Sequence, residues 1–265
     1  MFEPYLQRWQ LTPDGAAIVT PGSQLLPVRV AGMPAMLKVS AEAEEKNGSL
    51  LMQWWNGDAA ARVLACDGDA LLLERAQNNT TLLEMALDGK DDEASRIMCR
   101  VAAQLHAPRN KPLPPLVPLT QWFQALEPAA AKYGGIFSYS AGVARDLLAR
   151  PQNTVVLHGD IHHGNILDFG TRGWLAIDPK GLAGERGFDY ANIFCNPELD
   201  TATVPARFLR QLEIVVANSG LERQRLLQWI VAYAGLSAAW FSEDNMEATR
   251  TLAVAELARA ELGKT

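Results

Sequence analysis

One stretch of the chain, Val155-Val156-Leu157-His158-Gly159-Asp160-Ile161-His162-His163-Gly164-Asn165-Ile166-Leu167, runs from apolar to polar and back. That pattern suits a buried strand, a loop and a second strand. Further on, Leu175-Ala176-Ile177 leads into Asp178. Asp160, Asn165 and Asp178 are thus three oxygen-bearing side chains delivered at strand ends. Hard Mg2+ prefers such oxygens, taking a few from protein and the rest from phosphates and water. Phosphoryl transfer uses that metal together with a carboxylate that orients the attacking hydroxyl and accepts its proton. Asn165 stands five positions after Asp160, the Asp-x-x-x-x-Asn spacing of the kinase catalytic loop. Upstream, Ala35-Met36-Leu37-Lys38 reads as a strand ending in lysine, of the Val-Ala-Ile-Lys type. A lone Asp-x-x-x-x-Asn carries no weight. Lys38, an acid-bearing helix, then Asp160, Asn165 and Asp178, all in one order, do.

Neighbouring residues have plainer roles. His158 suits a brace for the loop, held by its own side-chain hydrogen bond. His162 and His163 invite zinc, but adjacent histidines point apart and no His-Glu-x-x-His helix accompanies them. Asp189, in Gly187-Phe188-Asp189-Tyr190, fits either a cationic ligand or a cap that braces the loop. Glu243, Asp244 and Glu247 beside Trp240 read as a solvated helix start or as a guanidinium site.

The elements that must position these groups fall into two patterns. Arg8–Leu11 with Ala16–Thr20, Leu25–Val30 with Ala35–Val39, and Arg62–Cys66 with Ala70–Glu74 predict three hairpins. A helix over Glu42–Trp55 lies between the second and third, with Leu51 and Trp55 stacked four apart. After Glu74-Arg75-Ala76 the chain turns helical. A helix begins at Asp91 or Asp92, carries Ile97, Val101 and Leu105 on one face and closes at Pro108. Ala141–Arg150, Pro205–Asn218, Glu222–Phe241 and Asp244–Leu262 predict further helices. Short strands are expected around Ile166–Phe169 and Trp174–Ile177. The fold class is α+β, with a nucleotide-binding lobe over 1–76, a hinge near 74–78 and a helical catalytic lobe over 77–265. Ligands bind preferentially in the cleft such lobes leave.

Composition narrows the partners. Of 265 residues, 30 are acidic and 24 basic, giving a formal charge of −6. Duplex nucleic acid wants the opposite sign on one face, so nucleic acid is not expected; a cationic small molecule is electrostatically welcome. Three scattered cysteines make no disulfide framework. No apolar run approaches the roughly 20 residues of a membrane span, and no signal peptide opens the chain, so a cytoplasmic protein without membrane or obligate protein partner is expected.

The segments His158-Gly159-Asp160-Ile161-His162-His163-Gly164-Asn165 and Ile177-Asp178-Pro179 resemble those of the aminoglycoside phosphotransferases, relatives of the protein kinases. Trp54-Trp55, Leu72-Leu73-Glu74-Arg75-Ala76, Leu105-His106-Ala107-Pro108, Phe188-Asp189-Tyr190-Ala191-Asn192-Ile193-Phe194 and Gly235-Leu236-Ser237-Ala238-Ala239-Trp240 resemble the streptomycin 6-phosphotransferase branch, the aminoglycoside/hydroxyurea resistance kinases. The resemblance runs from about Arg8 to Leu257. It implies a two-lobed, protein-kinase-like fold that moves the ATP γ-phosphoryl group to a hydroxyl of an aminoglycoside. Asp160 would be the base, Asn165 and Asp178 the Mg2+ ligands, and Lys38 the partner of the ATP phosphates. Glu45 would orient Lys38, with Glu44 as the alternative. The Thr20–Gln24 loop, including Ser23, would cover the phosphates, and the backbone from Glu74 to Ala76 would meet adenine. Glu185, Asp189, Trp240 and Glu243 are the candidates for contact with the cationic substrate. Asp178 is followed by Pro179-Lys180 in place of Phe-Gly, and no Ala-Pro-Glu segment follows; both argue for a constitutive small-molecule kinase. A kinase of another hydroxylated metabolite, a sugar or amino alcohol, and a nucleotide-binding pseudokinase are the alternatives.

Overall fold

The computed structural model describes residues 1–20, 22–77, 80–197 and 200–264. Pro21 in the expected phosphate-covering loop and Asn78 in the expected hinge therefore lie outside the described residues.

The chain opens with α1 (Glu3–Arg8), where Pro4 in the first turn, Glu3 at the start and Arg8 at the end suit a helix and its dipole. The first hairpin expected from sequence does not form. Arg8 closes α1, and β1 (Leu11–Pro13) and β2 (Ile18–Val19) both pair with β3 (Gln24–Val30). The seven-residue β3 is long enough to hold β1 against Val28–Val30 and β2 against Gln24–Leu25, and the Asp14 N–H donates to Pro27 O rather than closing a tight turn. The other two hairpins form as expected: β3 with β4 (Met33–Val39), and β5 (Val63–Asp67) with β6 (Ala70–Glu74). The antiparallel sheet runs β1-β3-β4-β6-β5, and α2 (Ala43–Trp55) follows β4.

Strand alternation sorts the side chains to two faces. Ala35, Leu37 and Val39 of β4 join Val28 and Leu72 in a small core covered by Tyr5, Leu6 and Trp9. Leu71 and Leu73 point the other way, into a larger core with Leu51, Met52 and Trp55 of α2 that continues through the helical lobe. Lys38, opposite Leu71 in the register, consequently faces α2.

The rest is built around α3 (Leu82–Leu87), α4 (Asp91–Leu105), α5 (Leu119–Trp122), α6 (Leu126–Tyr133), α7 (Gly135–Ala149), α8 (Gly187–Asn192), α9 (Pro205–Ser219), α10 (Arg223–Glu243) and α11 (Thr249–Leu262). The helix start predicted at Asp244 moves: Asp244 closes α10, Asn245 takes a left-handed φ of 55°, and α11 starts at Thr249. Asparagine tolerates that conformation, so it breaks the helix where charge patterning alone suggested a start. Two small sheets carry the site. β8 (Thr154–Leu157) pairs antiparallel with β11 (Leu182–Glu185), which also holds β7 (Val117–Pro118) from the proline-rich stretch; β9 (Ile166–Asp168) pairs with β10 (Trp174–Ala176).

The lobes are joined by more than the chain. Ala61 N–H donates to Ala176 O at 2.8 Å, and Ala176 N–H to Ala59 O at 3.0 Å. Trp54 Nε1 donates to Pro112 O, with the Arg109 guanidinium 5.3 Å above its ring. These ties hold α2 and β10 in one frame.

Candidate active site

Lys38 Nζ forms ion pairs with both Glu45 and Asp178; Lys38 and Glu45 are largely shielded from water, and Asp178 is half-buried. Glu45, not Glu44, is the helix acid that reaches Lys38. Glu44 pairs instead with Lys180, at 2.8 Å, and Glu45 lies 3.9 Å from the same ammonium. A charge chain, Asp178–Lys38–Glu45–Lys180–Glu44, therefore links sheet, helix and the loop after β10. α2 can come this close because residue 48 is glycine: a Cβ there would fall 2.1 Å from Pro179 O. Asp178 has φ +61°, a conformation costly for a residue with a side chain and typical of functional sites. Burial opposes ionisation of Asp178, but Lys38 and Lys180 outweigh it and hold its carboxyl below the usual range.

The loop before β3 closes over this group. Thr20 Oγ1 donates to Ser23 O and accepts from Ser23 N–H, and Ser40 Oγ donates to Gly22 O at 2.5 Å. A Cβ on Gly22 would lie 3.1 Å from Glu45 Oε1. Ser23 thus sits in a hydrogen-bonded turn close to the Lys38–Glu45 pair. At the far end of β6, the Glu74 N–H donates to Arg62 O, its carboxylate accepts from Arg62 N–H and pairs with Arg172, and the half-buried Ala76 follows.

The loop between β8 and β9 is wired throughout. His158, fully buried, donates from Nε2 to Ile177 O (2.8 Å) and accepts Asp160 N–H on Nδ1 (3.1 Å), with its ring stacked on Trp55. Burial lowers its pKa against the pull of Asp189 and Asp160, so the ring is neutral, as those two hydrogen bonds require. Asp160 Oδ1 accepts from Asn192 Nδ2 (2.9 Å) and Oδ2 from Asn165 Nδ2 (3.1 Å). Burial alone would raise the Asp160 pKa, yet chiefly His162 and Lys180 bring it down to about 2. Asp160 is accordingly an ionised acceptor at neutral pH. Asn165 is steered by Asp160 O as well, and its own backbone carbonyl takes Ile177 N–H, which sets it beside Asp178.

Two of the expected substrate carboxylates lie elsewhere. Asp189 is completely buried and accepts from His158 N–H, Gly159 N–H and His106 Nε2 at 2.8–2.9 Å. Glu185 is buried too, taking Arg225, Trp229 Nε1 and Gln152 N–H. Their oxygens are committed to interior donors and neither lines the cleft: Glu185, expected as a substrate contact, ties β11 to α10 instead, and Asp189 takes the bracing alternative in the loop. Trp240 and Glu243 do line it. The cleft encloses about 1020 Å3 between Asp160 and the α10–α11 corner, with Trp122, Trp240, Glu243, Asp244 and Glu247 on its wall and Lys180 and Asn192 near its floor. Trp122 meets Trp240 edge-on at 5.6 Å. Sequence reasoning missed Asn192, Lys180 and Trp122. Asn192 had a signal, one helical turn after Asp189; Trp122 had none, because α5 meets α10 only in the folded chain.

A nucleotide-type Lys–Glu pair over a loop with Asp and Asn five apart, set between an antiparallel sheet and a helical lobe, defines the protein-kinase-like class of phosphotransferases. Residues 8–245 match the aminoglycoside/hydroxyurea antibiotic resistance kinases, and the chain belongs to that family. It is 53% identical over 245 residues to a streptomycin 3''-kinase of Klebsiella pneumoniae, covering 91% of this chain and 92% of the relative. To the streptomycin 6-kinase of Streptomyces glaucescens it is 30% identical over 273 residues, 96% of this chain and 86% of the relative. The 6-phosphotransferase branch suggested by the motifs is thus the more distant of these two. The fold matches a crystal structure of a thermostable mutant of aminoglycoside phosphotransferase APH(4)-Ia in complex with AMP-PNP and hygromycin B, with TM-score 0.70, 14% identity and 98% of each chain covered. Among the described residues no helix is long and apolar enough to cross a membrane.

Proposed function

We propose that this kinase transfers the γ-phosphoryl group of ATP to streptomycin, at the 3''-hydroxyl. The observation that carries the reaction is the ionised Asp160 carboxylate at the floor of a large cleft walled by acids and tryptophans, beside the Lys38–Glu45–Asp178 group. The 53% identity to a streptomycin 3''-kinase supports the acceptor and its hydroxyl over the 6-position.

Asp160 accepts the hydroxyl proton as the acceptor oxygen attacks phosphorus; the bond from phosphorus to the β,γ-bridging oxygen breaks and ADP leaves. Asn165 and Asn192 fix the two carboxylate oxygens, so the hydroxyl meets a base that need not reorganise. Lys38, oriented by Glu45, takes ATP phosphate oxygens, with the Ser23 turn above them and the Glu74–Ala76 backbone against adenine. The Ile177–Asn165 backbone bond brings together the two strand ends that carry Asn165 and Asp178, and their amide and carboxylate oxygens are of the kind a hard divalent cation takes. Mg2+ held there would neutralise charge on the phosphates. Trp240, Trp122 and the exposed Glu243 receive the polyhydroxylated dication, the carboxylates against guanidinium. The net acidic chain suits such a substrate.

A coupled ADP-release assay with Mg-ATP and streptomycin, run beside Asp160→Asn and a panel of sugars and amino alcohols, tests the reading. Turnover on streptomycin that vanishes in the variant, with phosphate located on the 3''-oxygen by NMR, is expected. Phosphate at the 6-position would overturn the assigned hydroxyl, and turnover confined to a sugar or amino alcohol would overturn the substrate.

A further inference from the structure

Lys180 is the one cation among the charge chain whose side chain also faces the cleft. Lys38 is spent on Glu45 and Asp178 and does not line it. Lys180 lines the cleft together with Asp160 and Asn192, while its ammonium lies 3.9 Å from Glu45, the acid that Lys38 holds. It therefore stands on the boundary between the nucleotide side of the site and the acceptor side.

Its stem is fixed by backbone, and its tip is held only by carboxylates. The Lys180 N–H donates to His158 O at 2.7 Å, and a Cβ on Gly159 would fall 2.9 Å from the Lys180 Cβ, so the backbone is pinned against the catalytic loop. The ammonium rests on Glu44, whose side chain is 45% exposed. The lysine side is only 19% exposed, so water screens the pair from the Glu44 side alone, and a more highly charged acceptor arriving from the cleft competes with that carboxylate. A phosphoryl group passing toward Asp160 is that acceptor: its equatorial oxygens carry the charge that grows in the transition state. The same positive charge also offsets the repulsion between that anionic group and the Asp160 carboxylate.

We propose that Lys180 is a second catalytic lysine, which leaves Glu44 to contact the oxygens of the phosphoryl group in transit between nucleotide and acceptor. The assignment rests on the phosphotransferase reading above and goes beyond it, because Lys38 handles the ground-state phosphates and Lys180 the transferred group.

Lys180→Met and Lys180→Arg test it. Streptomycin turnover is measured by ADP release, Mg-ATP and streptomycin affinities by calorimetry, and affinity for Mg-ADP with aluminium fluoride as the mimic of the transferring group. Removal of one preorganised donor of this type lowers kcat by about a hundredfold or more, so Lys180→Met is expected to lose that much with both substrate affinities kept within about threefold. The fluoroaluminate complex should weaken in step with kcat, and Lys180→Arg should recover a measurable part of both. A purely structural lysine would leave the ratio of fluoroaluminate to Mg-ATP affinity unchanged. Unchanged kcat in Lys180→Met, or an equal loss of Mg-ATP affinity, would overturn the proposal. If the wild-type chain does not turn over streptomycin, the substrate reading fails alone, and acceptor-free Mg-ATP hydrolysis then reads the same variants: an unchanged hydrolysis rate overturns the role of Lys180, a comparable loss supports it. Absence of both reactions in the wild-type chain overturns both.

Discussion

The catalytic loop and the α10–α11 corner face one another across the same cleft and are built on opposite plans. In the loop, His158, Asp160, Asn165, Asp189 and Asn192 form one connected set of hydrogen bonds, nearly all shielded from water. At the corner, Glu243 and Asp244 are exposed and make no ion pair among the described residues, and Glu247 accepts only from Thr249 Oγ1. Positioning for chemistry tolerates errors of a fraction of an ångström, so the loop is over-determined. The proposed recognition of a hydrated cation would need carboxylates that are free to pair, and those of the corner are open to the cleft. The contrast teaches that burial separates Glu185 and Asp189, whose oxygens are all used by interior donors, from the corner acids, whose oxygens remain available at the cleft.

The sharpest way to break this contrast is Asp160→Asn. General-base loss costs about 10²–10⁴ in rate, so kcat should collapse while Mg-ATP affinity holds within about twofold. Retention of near-wild-type kcat would remove Asp160 from the chemistry. Asp178→Asn comes next: losing one charged partner, worth about 1.5–3 kcal/mol, should weaken Mg-ATP binding about tenfold to a hundredfold by calorimetry. Unchanged affinity would separate Asp178 from the nucleotide.

Glu185→Gln probes the brace class on stability. Burial disfavours its charge, but Arg225, Gln152 N–H and Trp229 hold its pKa below the ordinary value. Its contribution is therefore fully present above the ordinary carboxylate pKa and is lost as pH falls through the lowered one. The variant should lose about 2 kcal/mol by urea titration at pH 7 and close on the wild type toward pH 3. A gap that does not narrow in acid would mean that charge plays no part. The mildest change, Glu243→Gln with Glu247→Gln, should raise the streptomycin KM about threefold to tenfold, leave kcat alone and lose its effect in high salt. A fall in kcat would mean that the corner is part of the catalytic machinery.

The legible part of this molecule was its chemistry in order. Spacing singles out Asp160, Asn165, Asp178 and Lys38, and the place of Glu45 on α2 singles out that acid; the structure brings Lys38 to Glu45 and Asp178, and Asn165 to Asp160, because a strand period of two and a helical turn constrain where neighbours point. Glu185 reads as a substrate contact in sequence, and Asp189 as either a contact or a brace, for a shared reason. A carboxylate looks the same in sequence whether it meets Arg225 and main-chain N–H groups or a ligand, and its partners come from α10, β8 and α4, far along the chain. The first hairpin failed similarly: local turn residues suggested a β1–β2 pair, and the length of β3 offered each strand a better edge.

By itself the sequence determined the fold class, the order of the catalytic groups and the acidic balance that suits a cationic substrate, since these depend on local periodicity, short spacings and counts. Only the tertiary structure decided that Lys180 reaches both Glu44 and the cleft, that Trp122 comes to face Trp240, and which acids are buried. Each of those is a meeting of residues distant along the chain. Packing and desolvation, which choose between a brace and a contact, act on groups only once the fold has brought them together.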